Sequence, residues 1–460
     1  MWDAELDVVI AGAGGCGLVA ALRAGMEGLE VGIFEKTEFI LGNTAASAGM
    51  IPAAGTKLQK ELGIEDSVQL MAEDILRKNK YESEPELTEA ICRASGPLID
   101  WLNDELKISM SVVTEFKYPG HSVKRMHAPP TRSGLELVKN LKKAVDQIDN
   151  IYLMKKSEVL QLITDDDRAV IGVEVDTPDG RQKIKAKKVI LATNGFGANK
   201  DLVKRYIPEI SNAQYFGYEA NTGDAIRMTE ELGAALSNMS AYQGHSAVSD
   251  GQGLLVTWGT IMMGGFMVNE QGNRFGNEAE GYSEFAVQVL NQPRQAGYII
   301  FDEKIYQALL SIEDFKNLAD MDAFKKEETI EMLADALKIS GTLLTEELRD
   351  FNQSNGKKDR FGRENTAAQL EAPFYGIKVS PALFHTQGGV LINSSAQVLN
   401  KAGEVIPNLY AGGGAAVGVS GKHAYGYMSG NGLLAATGLG MIAGDHARES
   451  ITAERVGANE

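Results

Sequence analysis

Cysteine is nearly absent: Cys16 and Cys92 are the only two in 460 residues, and no CxxC or CxxCH occurs. That excludes cysteine-built zinc sites, c-type haem and thiolate-ligated iron–sulfur clusters within this chain, so redox chemistry here needs an organic cofactor. Positive charge is also short. With 45 Lys+Arg against 62 Asp+Glu the formal net charge is −17, which argues against a nucleic-acid partner. No run of ~18 apolar residues appears, so no membrane span is indicated. The N-terminus, MWDAELDVVI, has neither a basic n-region nor a cleavage site, so secretion is not indicated and the cytoplasm is the expected location. There is no sequence repeat and no low-complexity linker, and no metal site is expected.

What is present is an ordinary globular composition, 44% apolar and 23% charged, with one excess: 50 glycines, grouped in short loops. The average is ~7%, and glycine islands of this kind suit close backbone approach to a ligand. The length allows two or three domains. Leu6–Ala11 (LDVVIA) is a continuous apolar run of the sort that forms a strand buried on both faces. It runs into Gly12-Ala-Gly14-Gly15-Cys16-Gly17, a G-x-G-x-x-G, followed by helical spacing from Leu18 to Gly25 and a second apolar strand from Glu30 to Phe34 that ends at Glu35. This predicts a βαβ unit whose glycines admit a pyrophosphate at a helix N-terminus and whose Glu35 accepts from ribose hydroxyls. The motif alone leaves NAD and FAD open.

The next loop, Leu41-Gly-Asn43-Thr44-Ala-Ala-Ser47-Ala-Gly49, resembles the flavin-contacting loop of the fumarate reductase and succinate dehydrogenase flavoprotein family. Further glycine islands follow in that family's order. Ala192-Thr193-Asn194-Gly195-Phe196 resembles its ATGGF element, Thr222-Gly223-Asp224-Ala225 its TGDG turn with a helix through Leu232, Leu409-Tyr-Ala-Gly-Gly413-Gly414 its LYAAGE element, and Ser429-Gly-Asn431-Gly432-Leu433 the opening of its final helix. The resemblance spans the chain and implies an α/β fold: a Rossmann-like FAD-binding domain of glutathione-reductase type (1–239 and 386–460) with an inserted α+β capping domain (240–385) for substrate. It implies FAD contacts from these islands and from Gly12, Gly14, Gly15, Cys16, Gly17, Glu35 and Lys36. Members that attach FAD covalently have a histidine where Asn43 stands, so non-covalent FAD is expected.

Three arginine-bearing elements of the fumarate reductases are missing. The proton-shuttle region reads Val256-Thr-Trp-Gly-Thr-Ile-Met-Met263, the arginine of T-T-R-D falls on Tyr282, and the late arginine falls near Ala424. His385, in HTQGG resembling HTMGG, and His245 match substrate-site histidines. Arg274-Phe-Gly-Asn-Glu278 followed by Gly281-Tyr282-Ser-Glu284 is similar to the 3-ketosteroid dehydrogenase branch, in which a tyrosine removes a proton α to a ketone while hydride leaves for flavin N5. A phenol with pKa ~10 suits that weakly acidic proton. In that branch a tyrosine and a glycine N–H support the enolate; here Tyr427, or Tyr425, and Gly430 match, and Tyr118 matches an assisting tyrosine. Arg274 and Glu278 read as structural.

The resemblance thus implies an FAD-dependent dehydrogenase that introduces a C=C bond α,β to the carbonyl of a cyclic ketone, either a 3-ketosteroid or a smaller oxocyclohexane-type ring. That ring can bear a carboxylate held by His245, His385, Lys422 or His423. The alternatives are a reductase of an activated alkene (enoate or fumarate-like) and a non-catalytic flavin-binding electron carrier. An unidentified electron acceptor is also implied.

Overall fold

The run of apolar residues from Leu6 to Ala11 has no polar face to offer water, and it becomes the interior strand Ala4–Ala11 of a parallel sheet. Val9 pairs with Gly32 on one side and with Val189 on the other. The computed structural model describes residues 1–115, 117–364 and 368–457. Within them the parallel strands lie in the order Val405–Ala411, Gly180–Leu191, Ala4–Ala11, Val31–Glu35, Ile151–Lys155. Two antiparallel strands, Glu158–Thr164 and Val170–Thr177, fold back beside Gly180–Leu191, with turns at Asp165 and Gly180.

The helix Gly15–Gly25 and the final helix Asn431–Gly457 cross at backbone distance. A Cβ at Gly440 would lie 2.5 Å from the Cys16 carbonyl oxygen, and one at Gly444 would lie 2.6 Å from that of Ala20. Only glycine permits this approach. At the outer end of the crossing Arg23 holds Asp445 through two bonds, at 2.9 and 3.1 Å.

A second sheet is built on the long strand Phe374–Thr386, which pairs antiparallel with Tyr242–Ser249 and Gly297–Asp302 and parallel with Gln214–Tyr215. Its core is aromatic, with Phe301, Phe315, Phe324 and Tyr375 in ring contact. The charged stretch from 311 to 351 forms the amphipathic helices Glu313–Asp320, Ile330–Leu337 and Gly341–Gln353. The helix expected to run through Leu232 stops earlier, at Thr229. Gly233 takes a left-handed φ of 72°, and the chain turns back so that Ala234 N donates to Thr229 O at 3.3 Å. Among the described residues no helix is long and apolar enough to cross a membrane.

Arg274 and Glu278 serve the second sheet, as their sequence setting suggests. Glu278 is fully buried and accepts from Arg274 at 2.9 and 2.7 Å and from Arg363 at 3.1 Å; Arg274 also meets Asp359 at 2.6 Å. Burial raises the Glu278 carboxyl's pKa, but the Arg363 and Arg274 charges outweigh it and hold the group ionised, below its ordinary value. Removing that carboxylate takes the Glu278 partner from the buried Arg363 and leaves the buried Arg274 with Asp359 alone, at a cost of about 3–5 kcal/mol. Glu278→Ala is therefore expected to shift the urea unfolding midpoint strongly downward, whereas Arg349→Ala, whose partner Asp350 lies at the surface, leaves it within error.

Candidate functional site

One cavity of about 430 Å³ is lined by both halves of the molecule: the glycine loops at one end and the second sheet at the other. At the first end, Gly12 has φ 103°, and a Cβ there would meet the Ala192 carbonyl oxygen at 2.5 Å. The Gly12 amide donates to Phe34 O at 2.8 Å, closing the turn between the two strands. Gly14 faces open space, so its backbone is accessible to a ligand. Glu35 is fixed by Ala13 N (3.0 Å), Thr37 N (3.0 Å) and Thr37 Oγ1 (2.7 Å). Lys36 pairs with Asp224 at 2.7 Å. Thr193 lines the cavity and its buried Oγ1 lacks a protein partner.

These features fit FAD. Helix-terminal amides and a glycine cradle receive a pyrophosphate, a fixed carboxylate receives ribose hydroxyls, and an unsatisfied hydroxyl awaits a polar ligand atom. Gly15, Cys16, Thr44, Ser47, Ala192, Asn194, Gly413, Gly414, Gly432 and Leu433 line the cavity too. Five other sequence-predicted contacts stand behind the wall. A Cβ at Gly17 would sit 1.9 Å from Gly12 O, one at Gly195 would sit 1.9 Å from Thr386 Oγ1, and Gly49 (φ 66°) and Gly223 (φ 85°) form turns, while Asn431 donates to Ser420 Oγ at 3.0 Å. Their role is to let the loops pack. Asn43 reaches the cavity, but its amide is taken up by protein: Oδ1 accepts from Tyr218 N (2.7 Å) and Asn221 Nδ2 (2.9 Å), and Nδ2 donates to Phe384 O (3.3 Å).

At the other end every expected catalytic residue, Tyr118, His245, Tyr282, His385, Tyr427 and Gly430, lines the same cavity. Tyr282 is the first residue of the helix Tyr282–Leu290, entered through Gly281 at φ 144° and fixed by Ser246 Oγ donating to its carbonyl at 2.7 Å. Its ring centroid lies 6.1 Å from that of Tyr427, and the Ser429 and Tyr427 side chains are among the polar groups that act on its hydroxyl. Burial drives its pKa well above that of a free phenol, and Tyr427 is raised for the same reason. Tyr118 is pushed up to about 12, again by burial. The backbone amides of Gly430 and Gly432 offset part of that rise at Tyr427.

Both histidines are neutral. Burial lowers His245 to about 3 and His385 to about 4. His245 lies between the rings of Tyr282 (centroids 4.5 Å apart, near-parallel) and Phe384 (5.0 Å), and its Nδ1 accepts from Ala247 N at 3.1 Å. It is a stacking residue with no cationic charge to give a carboxylate. Lys422 and His423 are not among the residues lining the cavity, which corrects their expected role as carboxylate holders. Tyr425 also lies outside: its hydroxyl donates to Glu82 at 2.8 Å and Lys80 sits over its ring. Tyr427 is thus the cavity tyrosine of the two.

Several lining residues escape sequence reading, namely Phe216, Phe384, Leu255, Met126 and Gln387. Only Gln387 left a signal, as the one departure inside HTQGG. Arg132 is the single arginine among the described lining residues, and it is ion-paired with Glu115.

Since Asn43 is engaged by protein and carries no nucleophile, acid precipitation is expected to release all of the flavin as FAD into the supernatant; flavin remaining in the denatured pellet would contradict this. Glu35→Ala should lower FAD occupancy, read as the flavin-to-protein absorbance ratio, while the far-UV circular dichroism stays unchanged.

A model of the FAD binding domain family matches residues 7–433. A probable fumarate reductase of Shewanella frigidimarina is 32% identical over 452 residues, covering 96% of this chain and 74% of that protein. The open conformation of a flavocytochrome c3 fumarate reductase superposes with a TM-score of 0.80 at 30% identity, over 97% of this chain and 79% of that one. A 3-ketosteroid-Δ4-(5α)-dehydrogenase from Rhodococcus jostii shares the fold, with a TM-score of 0.77 at 24% identity over 97% of this chain and 98% of that one. With its glycine cradle, fixed Glu35 and shared cavity, the chain belongs to the FAD-dependent fumarate reductase and succinate dehydrogenase flavoprotein superfamily, and is an oxidoreductase acting on CH–CH bonds.

Proposed function

We propose that this protein desaturates the bond α,β to the carbonyl of a cyclic ketone, a 3-ketosteroid or a smaller oxocyclohexane-type ring, in the cytoplasm. In this reading Tyr282 moves the proton, and residues 240–385 cap the substrate. The observation that carries it is the ring contact of Tyr282 with Tyr427, centroids 6.1 Å apart, inside a cavity also lined by Trp258, Phe216 and Phe384. Bound FAD supplies the hydride acceptor.

The rest falls to the chain's own residues. Trp258, Phe384 and His245 present rings and neutral donors, which suits an uncharged ring and gives a second carboxylate nothing to pair with. Removal of an α-proton needs a base, and the Tyr282 phenolate is the strongest one available there. The Tyr427 hydroxyl, together with the Gly430 N–H, stands as the donor to the oxygen on which charge develops.

A second reading, reduction of an activated alkene such as an enoate, is favoured by the direction of the Tyr282 shift. A phenol raised by burial is protonated throughout the neutral range, so it is the donor form that predominates. The Shewanella frigidimarina relative and the flavocytochrome c3 named above are fumarate reductases. The same residue serves both directions, and pH separates them. As a base, Tyr282 must first lose its proton, so the rate of flavin reduction by a saturated cyclic ketone should climb roughly tenfold per pH unit below the raised pKa. Reoxidation of the reduced enzyme by an enone, with the phenol as donor, should stay flat from pH 6 to 9.

Anaerobic stopped-flow bleaching of the flavin by cyclic ketones tests the first reading directly. Tyr282→Phe should retain FAD and substrate affinity and lose ~10²–10⁴-fold in reduction rate, together with the pH slope. Wild-type rates in that variant would make Tyr282 a packing residue and remove the proposal's main support. Fumarate should reoxidise the reduced enzyme far more slowly than the best enone; equal rates would require a cation that the cavity wall, with Arg132 already paired, does not offer.

A further inference from the structure

A buried line of side chains leads from the start of the final helix to the ring of His385. Asn431 Nδ2 donates to Ser420 Oγ at 3.0 Å, Ser420 Oγ donates to Gln387 Oε1 at 2.6 Å, and Gln387 Nε2 lies 3.2 Å from His385 Nδ1. Gln387 is 3% exposed, and Ser420 and Asn431 are 0% exposed. Each link constrains the next. Because Ser420 accepts from Asn431, its single hydroxyl proton goes to Gln387 Oε1. The Gln387 amide must then turn its NH2 toward the imidazole, and Nδ1 receives that hydrogen bond with a lone pair. A neutral ring has one N–H, which is left on Nε2.

Gln387 is itself immobile. Its backbone N donates to Ala241 O at 2.8 Å and its carbonyl accepts from Gly418 N at 2.8 Å. The competing acceptor for an Nδ1 proton is the carbonyl of Thr386 at 3.3 Å, the chain neighbour of the ring and a longer contact. On the other edge of the ring, a Cβ at residue 432 would lie 2.6 Å from Nε2, so glycine at this position keeps that edge clear.

We propose that Gln387 is a positioning residue, holding His385 with its proton on Nε2 so that the histidine donates to a carbonyl oxygen of the substrate and cannot compete with Tyr282 as a base. An Nε2 that carries the ring's only proton has no lone pair for an α-proton. Gln387 stands where the reductases' HTMGG has methionine, which offers no N–H to the ring. The inference rests on the cavity being the reaction site of a cyclic ketone or enone, but the proton's position is measurable without turnover.

The test is ¹⁵N NMR of the FAD-loaded protein labelled at histidine. The chain has six histidines, and the His385 pair of ring nitrogens is assigned by its loss in His385→Gln. The wild type should show a neutral His385 with Nε2 protonated and Nδ1 bare at pH 7. In Gln387→Glu a carboxylate replaces the NH2, so a proton should appear on Nδ1. In Gln387→Met both tautomers should appear, and the KM for the ketone should rise roughly five- to tenfold, the weight of one neutral hydrogen bond, with FAD content unchanged. A wild-type spectrum with the proton on Nδ1, or an unaltered Nε2–H signature in Gln387→Glu, overturns the proposal. The wild-type spectrum decides even if a variant fails to fold. Failure of cyclic ketones to bleach the flavin would instead strike the functional reading and leave the tautomer result standing.

Discussion

The arrangement of this molecule depends on one close contact, the crossing of its first and last helices. Gly440 and Gly444 place bare backbone against the carbonyls of Cys16 and Ala20, where a Cβ would come within 2.5 and 2.6 Å. Dispersion contacts along such a seam are individually small and collectively large. The consequence is positional. With the two helices clamped, the start of the final helix at Gly432–Leu433 lines the same cavity as the first glycine loop, and so does the Ser429-Gly430 turn just before it, together with Tyr282 and Tyr427. A bulkier residue at either glycine would push apart the cofactor end and the tyrosines together.

The cavity that results has two electrostatic ends. Glu35, Lys36 and Asp224 keep charge at the nucleotide end, where it is paired or hydrogen-bonded. At the other end burial holds the phenols of Tyr118, Tyr282 and Tyr427 protonated and the imidazoles of His245 and His385 neutral. A low-dielectric chamber strengthens each remaining hydrogen bond and penalises each unpaired one, so proton position there becomes a matter of hydrogen-bond polarity more than of pKa. Two ties keep the chamber shut. Asn43 links the first glycine-loop region to Tyr218 and to Phe384, where the chain passes between the two sheets, and Lys78 joins Glu284 and the Glu280 carbonyl (2.8 Å) beside Tyr282.

Local chemistry was readable from the amino-acid sequence wherever the physical cause lies within a few residues. The βαβ unit follows from an apolar run, a glycine turn and an acid at the right distance, and Glu35 follows from its place at the end of the second strand. Tyr282 and His385 were legible as well, because each stands in a motif whose neighbours mark its position. The island glycines were read as ligand contacts, yet Gly17, Gly195 and Gly223 turned out to support the wall. A glycine that meets a ligand and one that meets another strand look identical until the partner is known.

Tertiary structure alone decided which aromatic residues face the cavity, because the choice between Tyr425 and Tyr427 depends on Glu82, more than 300 positions away, capturing the former. It also decided that His245 stacks between Tyr282 and Phe384 and is neutral, since desolvation is a property of the assembled chamber and no single segment carries it. The amino-acid sequence by itself determined the elements, the cofactor loop and the motif that sets Tyr282 at the start of its helix. Packing determined its neighbours, its pKa and the orientation of the hydrogen bonds around it, because those depend on distances between residues far apart along the chain.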